Sequence, residues 1–179
     1  LQLFATIKSV NTPKLYFFVG FPGAGKTTLA KAIASATDSD HIWADDERHK
    51  LFPEASHTEE ESVKLYDILN QRAEQLLSEG KSVVFDTNFN FYEDRQAMRE
   101  IAARQNAGAV MIWLNVPKEI ARKRAVCSGK VRNGYTISMS AGQFDAIANK
   151  LDAPRLQEKY IKIEDAVQDS GTLKQVLES

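Results

Sequence analysis

The chain has 179 residues, 43% hydrophobic and 26% charged, with a formal net charge of −1 and an isoelectric point near 6.4. These values fit one soluble globular domain and supply no global basic field to draw the protein onto nucleic acid or anionic membrane, so any anion must be bound locally. A lone cysteine, Cys127, excludes an internal disulfide and a Cys-rich zinc site, and it fits a reducing cytoplasm.

No run approaches the roughly 18 apolar residues of a membrane span. The opening, LQLFATIKSV, lacks a basic n-region and a long apolar run, so residues 1–12 are expected to be an N-terminal lead and 13–179 a single domain. Leu15 to Gly20 is a short apolar run ending in glycine, the pattern of a strand buried on both faces. Thr27 to Ala36 follows with helical spacing and is broken by Asp38, Ser39 and Asp40. His41 to Ala44 reads as a weak strand, and a helix from about Asp46 stalls at Pro53. A longer helix from Thr58 to Glu79 is closed by Gly80. Ser82 to Asp86 is a second strong strand, Tyr92 to Gln105 a helix, and Ala109 to Val116 the longest apolar strand. Pro117 takes the first helical position before Lys118 to Val126. Cys127 to Met139 is polar, with Gly129 and Gly134, and reads as a mobile loop. Ser140 to Leu151 is helical, Lys159 to Ile163 a last strand, and Thr172 to Leu177 a closing helix. Strands alternating with helices predict a three-layer α/β/α fold on a parallel sheet of about five strands.

Gly20, Phe21, Pro22, Gly23, Ala24, Gly25, Lys26 and Thr27 match G-x-x-x-x-G-K-[ST] at every fixed position, between a predicted strand and a predicted helix. Glycines let successive N–H groups turn inward toward phosphates at a helix N-terminus. Lys26 adds a full charge for the β- and γ-phosphates, and the Thr27 hydroxyl is suited to magnesium. Thr28 is placed toward the α-phosphate. The expected ligands are therefore ATP, or another nucleoside triphosphate, and magnesium.

Asp45 and Asp46 follow the strand HIWA at its carboxyl end, the edge where open α/β sheets bind ligands. Arg48 lies one helical turn on, so a carboxylate and a guanidinium can share a cleft. Asp45 could then accept the proton of an attacking hydroxyl while Arg48 orients it or an anionic acceptor; the competing reading is a helix cap. Asp86 ends VVFD as Walker B segments end, a candidate to act on magnesium through water, or to hold Arg48 or the acceptor. Thr87 and Asn88 extend that polar edge, and Arg95 on the next helix could reach it. Arg122, Lys123, Arg124, Lys130 and Arg132 form a local positive field with no acidic residue from Ile120 through Phe144. Arg124 and Arg132 are the best candidates for a lid over the transferring phosphoryl group, spanning about 127–139.

The blocks GFPGAGKTTLA, DDERHKLF, VVFDTNFNFYEDR and WLNVPKEIARKR, in that order, resemble the P-loop kinases of the phage polynucleotide kinase and zeta toxin group, over most of residues 15–132. The resemblance implies a P-loop kinase fold with a helical lid and ATP-dependent transfer of the γ-phosphate to a hydroxyl. It places Lys26 and Thr27 on triphosphate and magnesium, Asp45 as general base, and Arg48 held by Asp86 near the acceptor. Within that group the acceptor could be a polynucleotide 5′-hydroxyl, a nucleotide-sugar or another small alcohol. The stretch Glu54, Glu59, Glu60 and Glu61 suits a polyanion poorly if it borders the acceptor cleft. The alternative is an ATPase or nucleotide-dependent switch without a phosphoacceptor.

Overall fold

The computed structural model describes residues 12–52, 54, 58–132, 134–164 and 170–178. Residues 1–11 of the expected N-terminal lead, and the proposed helix stop at Pro53, lie outside them. Strand β1, Lys14–Val19, is the middle of a five-stranded sheet built with β2 (Asp40–Trp43), β3 (Val83–Asp86), β4 (Gly108–Leu114) and β7 (Ile161–Ile163). The order is β2-β3-β1-β4-β7 and every pairing is parallel.

Because side chains alternate along a strand, β1 feeds two separate cores. Leu15, Phe17 and Val19 pack beneath helices α3 (Glu59–Ser78) and α4 (Tyr92–Arg104) through Leu65, Leu69, Ala73, Met98 and Ile101. Tyr16 and Phe18 face helices α1 (Lys26–Thr37), α5 (Lys118–Ala125), α6 (Ala141–Ala148) and α7 (Ser170–Leu177), meeting Ile33, Ala121, Phe144 and Val176. A sheet coated on both faces explains why its strands read as unbroken apolar runs. The helix after β1 thus covers one face and the helix after the neighbouring β3 covers the other. A crevice opens between the carboxyl ends of these two strands.

Local signals set the boundaries. Asp38 ends α1 in the left-handed region at φ 52°, its N–H returning to the Ala34 carbonyl. Thr58 caps α3 by accepting from the Glu61 N–H, and Gly80 closes it at φ 75°. Ser140 and Gln143 form a reciprocal capping box on α6. Helix α2, Ala44–Leu51, follows β2 without a connecting residue, which carries Asp45 directly from the strand end into a first turn.

Two expectations are corrected. The segment 127–139 is a two-stranded antiparallel hairpin, β5 (Cys127–Arg132) with β6 (Tyr135–Met139), between α5 and α6, where a mobile loop and a helical lid were expected. Its glycines serve the hairpin: Gly129 (φ 60°) lies within the register irregularity between Cys127 and Lys130, and Gly134 (φ 86°) in the turn. Pro117 is the residue before α5, with ψ 134°, and the helix opens at Lys118.

Candidate nucleotide and acceptor site

The P-loop leaves β1 at Gly20 and enters α1 at Lys26. Gly23 has φ 80°, and a Cβ built there would stand 2.4 Å from the Ala121 carbonyl oxygen and 3.0 Å from the Ala125 nitrogen. The loop is therefore seated on α5 at a point where only glycine fits. Gly20 is similarly close to the Leu114 carbonyl, at 2.8 Å for the same constructed atom. Gly25, at φ 102°, turns the chain into the helix.

The Lys26 ammonium lies across this loop, donating to the Gly20 carbonyl at 2.7 Å and the Phe21 carbonyl at 2.9 Å. Crowding by protein lowers its pKa to about 8, against the opposing pull of the Asp86 and Asp45 charges. The Thr27 hydroxyl donates to Asp86 Oδ1 at 3.3 Å. Asp86 is 3% exposed, and its other oxygen meets His41 Nε2 at 3.2 Å. A hydroxyl and a carboxylate oxygen converging beside a glycine-formed phosphate cradle are the hard oxygen donors that magnesium prefers, so these residues fit the ion. Thr28 is exposed.

Asp45 stands in the first turn of α2 with an exposed carboxylate. Surrounding protein, and then the Asp86 charge, raise its pKa, while Arg48, Lys26 and His49 oppose that rise. Asp45, Asp86 and Lys26 therefore share one field. Asp46 has a different role, pairing with Lys50 at 2.5 Å along the exposed side of the helix.

Arg48 departs from expectation. It is 9% exposed and is held by Glu61 and, at 3.3 Å, by the Ser62 hydroxyl. The Thr58 cap puts Glu61 in the first turn of α3, against α2, while the Asp86 oxygens are engaged by Thr27 and His41. The expected Arg48–Asp86 contact is replaced by this pairing. Arg95 departs further: it is fully buried beneath the 88–90 turn, where it cannot meet a substrate. Its Nε and Nη2 grip both oxygens of Glu158 at 2.9 and 2.7 Å, and Nη1 donates to the carbonyls of Asn90 and Asp152 at 3.2 and 3.0 Å. Burial would raise the Glu158 pKa, but hydrogen bonds from Arg95, the Arg155 N–H and Arg99 overcome it and hold the carboxyl at about 2. Arg95 thus braces the 88–90 turn from below.

That turn carries Asn88, whose Oδ1 is buried without a partner, as is Oδ1 of Asn90. Thr87 Oγ1 is 2.8 Å from the Tyr66 hydroxyl, and the Tyr66 phenol lies within the fields of Arg48, Asp45 and Asp94. Sequence reasoning missed His41, Tyr66 and Glu158, and read Glu61 only as one of an acidic stretch. Only Glu61 had a local signal, the Thr58-x-x-Glu61 capping pattern. Where a lid is expected from the sequence, Arg122 approaches Asp145 across α5 and α6 at 3.5 Å, and Arg124 interacts with other protein groups. The Arg132 side chain lies outside the described set.

Known proteins give this geometry its place. Uncharacterised proteins of Mycobacterium, including one from Mycobacterium tuberculosis strain H37Rv, are 24% identical over 142 residues, 73% of this chain. The match covers 28% of those relatives' length. Among solved structures, the Mycobacterium tuberculosis APS kinase CysC in complex with AMPPNP and APS superposes with a TM-score of 0.65 at 16% identity, over 93% of this chain and 96% of that one. A sugar kinase from Janibacter sp. HTCC2649 gives 0.63 at 20% identity, over 91% and 90%. The Pnkp1/Rnl/Hen1 RNA repair complex gives 0.65 at 20% identity, over 82% of this chain and 46% of that one. The shared architecture is the P-loop kinase fold. The AAA domain model matches residues 15–154, most of the chain, and the protein belongs to the AAA domain family.

Proposed function

We propose that this protein is an ATP-dependent kinase of the P-loop class, moving the γ-phosphate of ATP to a hydroxyl of an acceptor. One observation carries the reading. The carboxylate of Asp45 shares a field with Lys26 and Asp86 at the crevice between β1 and β3, with its basicity raised by its surroundings. The same carboxylate would serve an attacking water, so transfer is told from hydrolysis by whether the labelled phosphate ends on an acceptor or is released free.

In the proposed reaction Asp45 takes the proton of the acceptor hydroxyl, whose oxygen forms the new bond to the γ-phosphorus. The bond from that phosphorus to the β–γ bridging oxygen breaks, and ADP leaves with the electron pair. Lys26 exchanges its bonds to the Gly20 and Phe21 carbonyls for phosphate oxygens, which the loop's backbone N–H groups also bind. Thr27 and Asp86 would hold magnesium, which when bound screens the phosphate charge. The resemblance to the polynucleotide kinase and zeta toxin group supports these assignments, and the basic residues around the hairpin support a lid role for Arg124 and Arg132. Asn88 belongs to the acceptor side of this reading, and Thr28 to the nucleotide side.

The test is Asp45→Asn, with nucleotide affinity and phosphoryl transfer from labelled ATP measured separately. Transfer should fall by about 100-fold or more, the usual worth of a positioned base, while ATP still binds. Undiminished transfer would remove Asp45 from the role.

A further inference from the structure

The acceptor edge carries its own information about what can bind there. Its basic side chains are spent on neighbouring carboxylates: Arg48 on Glu61, Lys64 on Glu60 at 2.8 Å, and Lys50 on Asp46 and Glu47. Arg95, the cation nearest the 88–90 turn in sequence, is sealed below it with Glu158. His49 also acts on Asp45 and has interactions of its own within the protein.

The remaining polar groups of the edge are of another kind. Asp45 and Asp94 are solvent-accessible residues, and partial burial of the Asp94 carboxyl, followed by the nearby Glu93, raises its pKa. Tyr66 and Thr87 present a hydroxyl pair, and Asn88 carries an unpartnered amide oxygen. Beyond Arg48 and its Glu61 partner, a cavity of about 430 Å³ opens at the far end of α2, with Glu54, Glu60 and Glu61 in its wall beside Lys64.

An anion here would confront these carboxylates, and Arg48, the guanidinium that acts on Asp45, is already held by Glu61. To recruit Arg48 it would have to break a nearly buried ion pair and strand Glu61, an exchange that costs several kcal/mol. An alcohol rich in hydroxyl groups meets the opposite situation. Its O–H groups donate to Asp45 and Asp94, and the Tyr66–Thr87 pair can donate or accept.

On the kinase reading above, we infer that the acceptor is a small polyhydroxylated molecule bearing no negative charge, a sugar, polyol or amino sugar, rather than a nucleic acid end or a phosphorylated, sulfated or carboxylated compound. The juxtaposition behind it is the Arg48–Glu61 pair, already neutralised, set between Asp45 and an open hollow that Glu54 and Glu60 line together with Leu51, Phe52, Thr58 and Lys64.

The experiment uses the full chain with γ-labelled ATP and magnesium, and acceptors matched in skeleton but not in charge. Glucose is paired with gluconate and ribose with ribose 5-phosphate, with glucosamine added, alongside DNA and RNA oligonucleotides carrying 5′-hydroxyl ends. Labelled product should form with the uncharged or amino member, with kcat/KM at least tenfold above its anionic partner. Preference for an anionic acceptor or a 5′-hydroxyl end, or equal use of both members of a pair, overturns the inference but leaves the kinase reading standing. Label appearing only in inorganic phosphate, or in no product, overturns both.

Glu61→Gln supplies a second readout. With its carboxylate neutralised, Arg48 becomes available to an anion, so the charge preference should narrow or invert. A purely structural role for Glu61 would depress every acceptor equally, and that result counts against the inference.

Discussion

Placing an alanine at Gly23 is the sharpest physical test of the nucleotide loop. Two costs are expected, and they are separable. The backbone there has φ 80°, and forcing an L side chain into the left-handed region costs about 1–2 kcal/mol. The new methyl would also lie 2.4 Å from the Ala121 carbonyl oxygen, roughly 1 Å inside ordinary contact, with Ala125 closing the other side. Overpacking of that kind adds about 1–3 kcal/mol. The sum, about 2–5 kcal/mol, corresponds to a loss of roughly 5–15 °C in melting temperature for a domain of this size. Gly80→Ala is the internal control. Gly80 has φ 75° but nothing within 4 Å of a constructed Cβ, so it should carry the backbone cost alone. Differential scanning calorimetry with and without ATP and magnesium reads both quantities. Gly23→Ala should melt well below Gly80→Ala and lose the upward shift that ATP gives the wild type, because the loop can relieve the clash only by lifting from α5. Equal melting of the two variants, with nucleotide stabilisation intact in both, would refute the seating of the P-loop on that helix.

Other expectations follow from the charged groups. Lys26 protonates at about 8, lowered by burial, so in the unliganded protein it is mostly charged at pH 7 and neutral by pH 9. ATP affinity, measured by fluorescence titration, should weaken as pH rises through that window, and Lys26→Ala should remove the dependence along with most of the transfer activity. The unfolded chain keeps its lysine protonated to about 10.5, so between about 8 and 10.5 the unfolded state binds the extra proton. The Lys26 contribution to folding stability therefore becomes more favourable as pH rises across that range. Glu158, held at about 2, has the same sign in an acid window: its contribution is complete above the ordinary carboxylate value and is lost as pH falls toward 2. Glu158→Ala, which strands Arg95 in the interior, should cost about 3–5 kcal/mol in urea unfolding. A double-mutant cycle of Arg48→Met and Glu61→Leu should give a coupling of at least about 1 kcal/mol; additive effects would show that the pair does not form in solution.

The layered architecture was legible because each strand of the sheet is apolar on both faces and each helix carries one stripe, patterns that survive in the order of residues alone. The P-loop was legible for a different reason: its spelling is the geometry, since glycine at 20, 23 and 25 is demanded by backbone angle and close contact. The hairpin was not. It packs as a separate two-stranded ribbon, has exposed Val131, and lacks the alternation that a buried face imposes. Arg48 was found but assigned to Asp86, and Arg95 was found but expected in the cleft and not beneath it. Their choice of partner depends on Glu61 and Glu158, 13 and 63 positions away, and no local spacing encodes which carboxylate reaches a guanidinium first. His41 escaped because its value comes from sheet register, which sets it opposite Val84 and lets the ring reach Asp86 two residues on.

The stretch between α6 and β7 has neither helical nor strand form, yet its backbone has little freedom. The Asp152 N–H is taken by Asn90, its carbonyl by Arg95, and the Arg155 N–H by Glu158. The Arg155 guanidinium lies 3.8 Å over the Tyr92 ring. Ordinary surface loops accept insertions because water can satisfy whatever backbone groups the extra residues bring. Here each added residue between Asp152 and Glu158 would pull one of these groups out of register with the Arg95 brace and slacken the 88–90 turn above it. The length of this irregular segment is thus a built dimension of the 88–90 turn, as surely as the length of a strand.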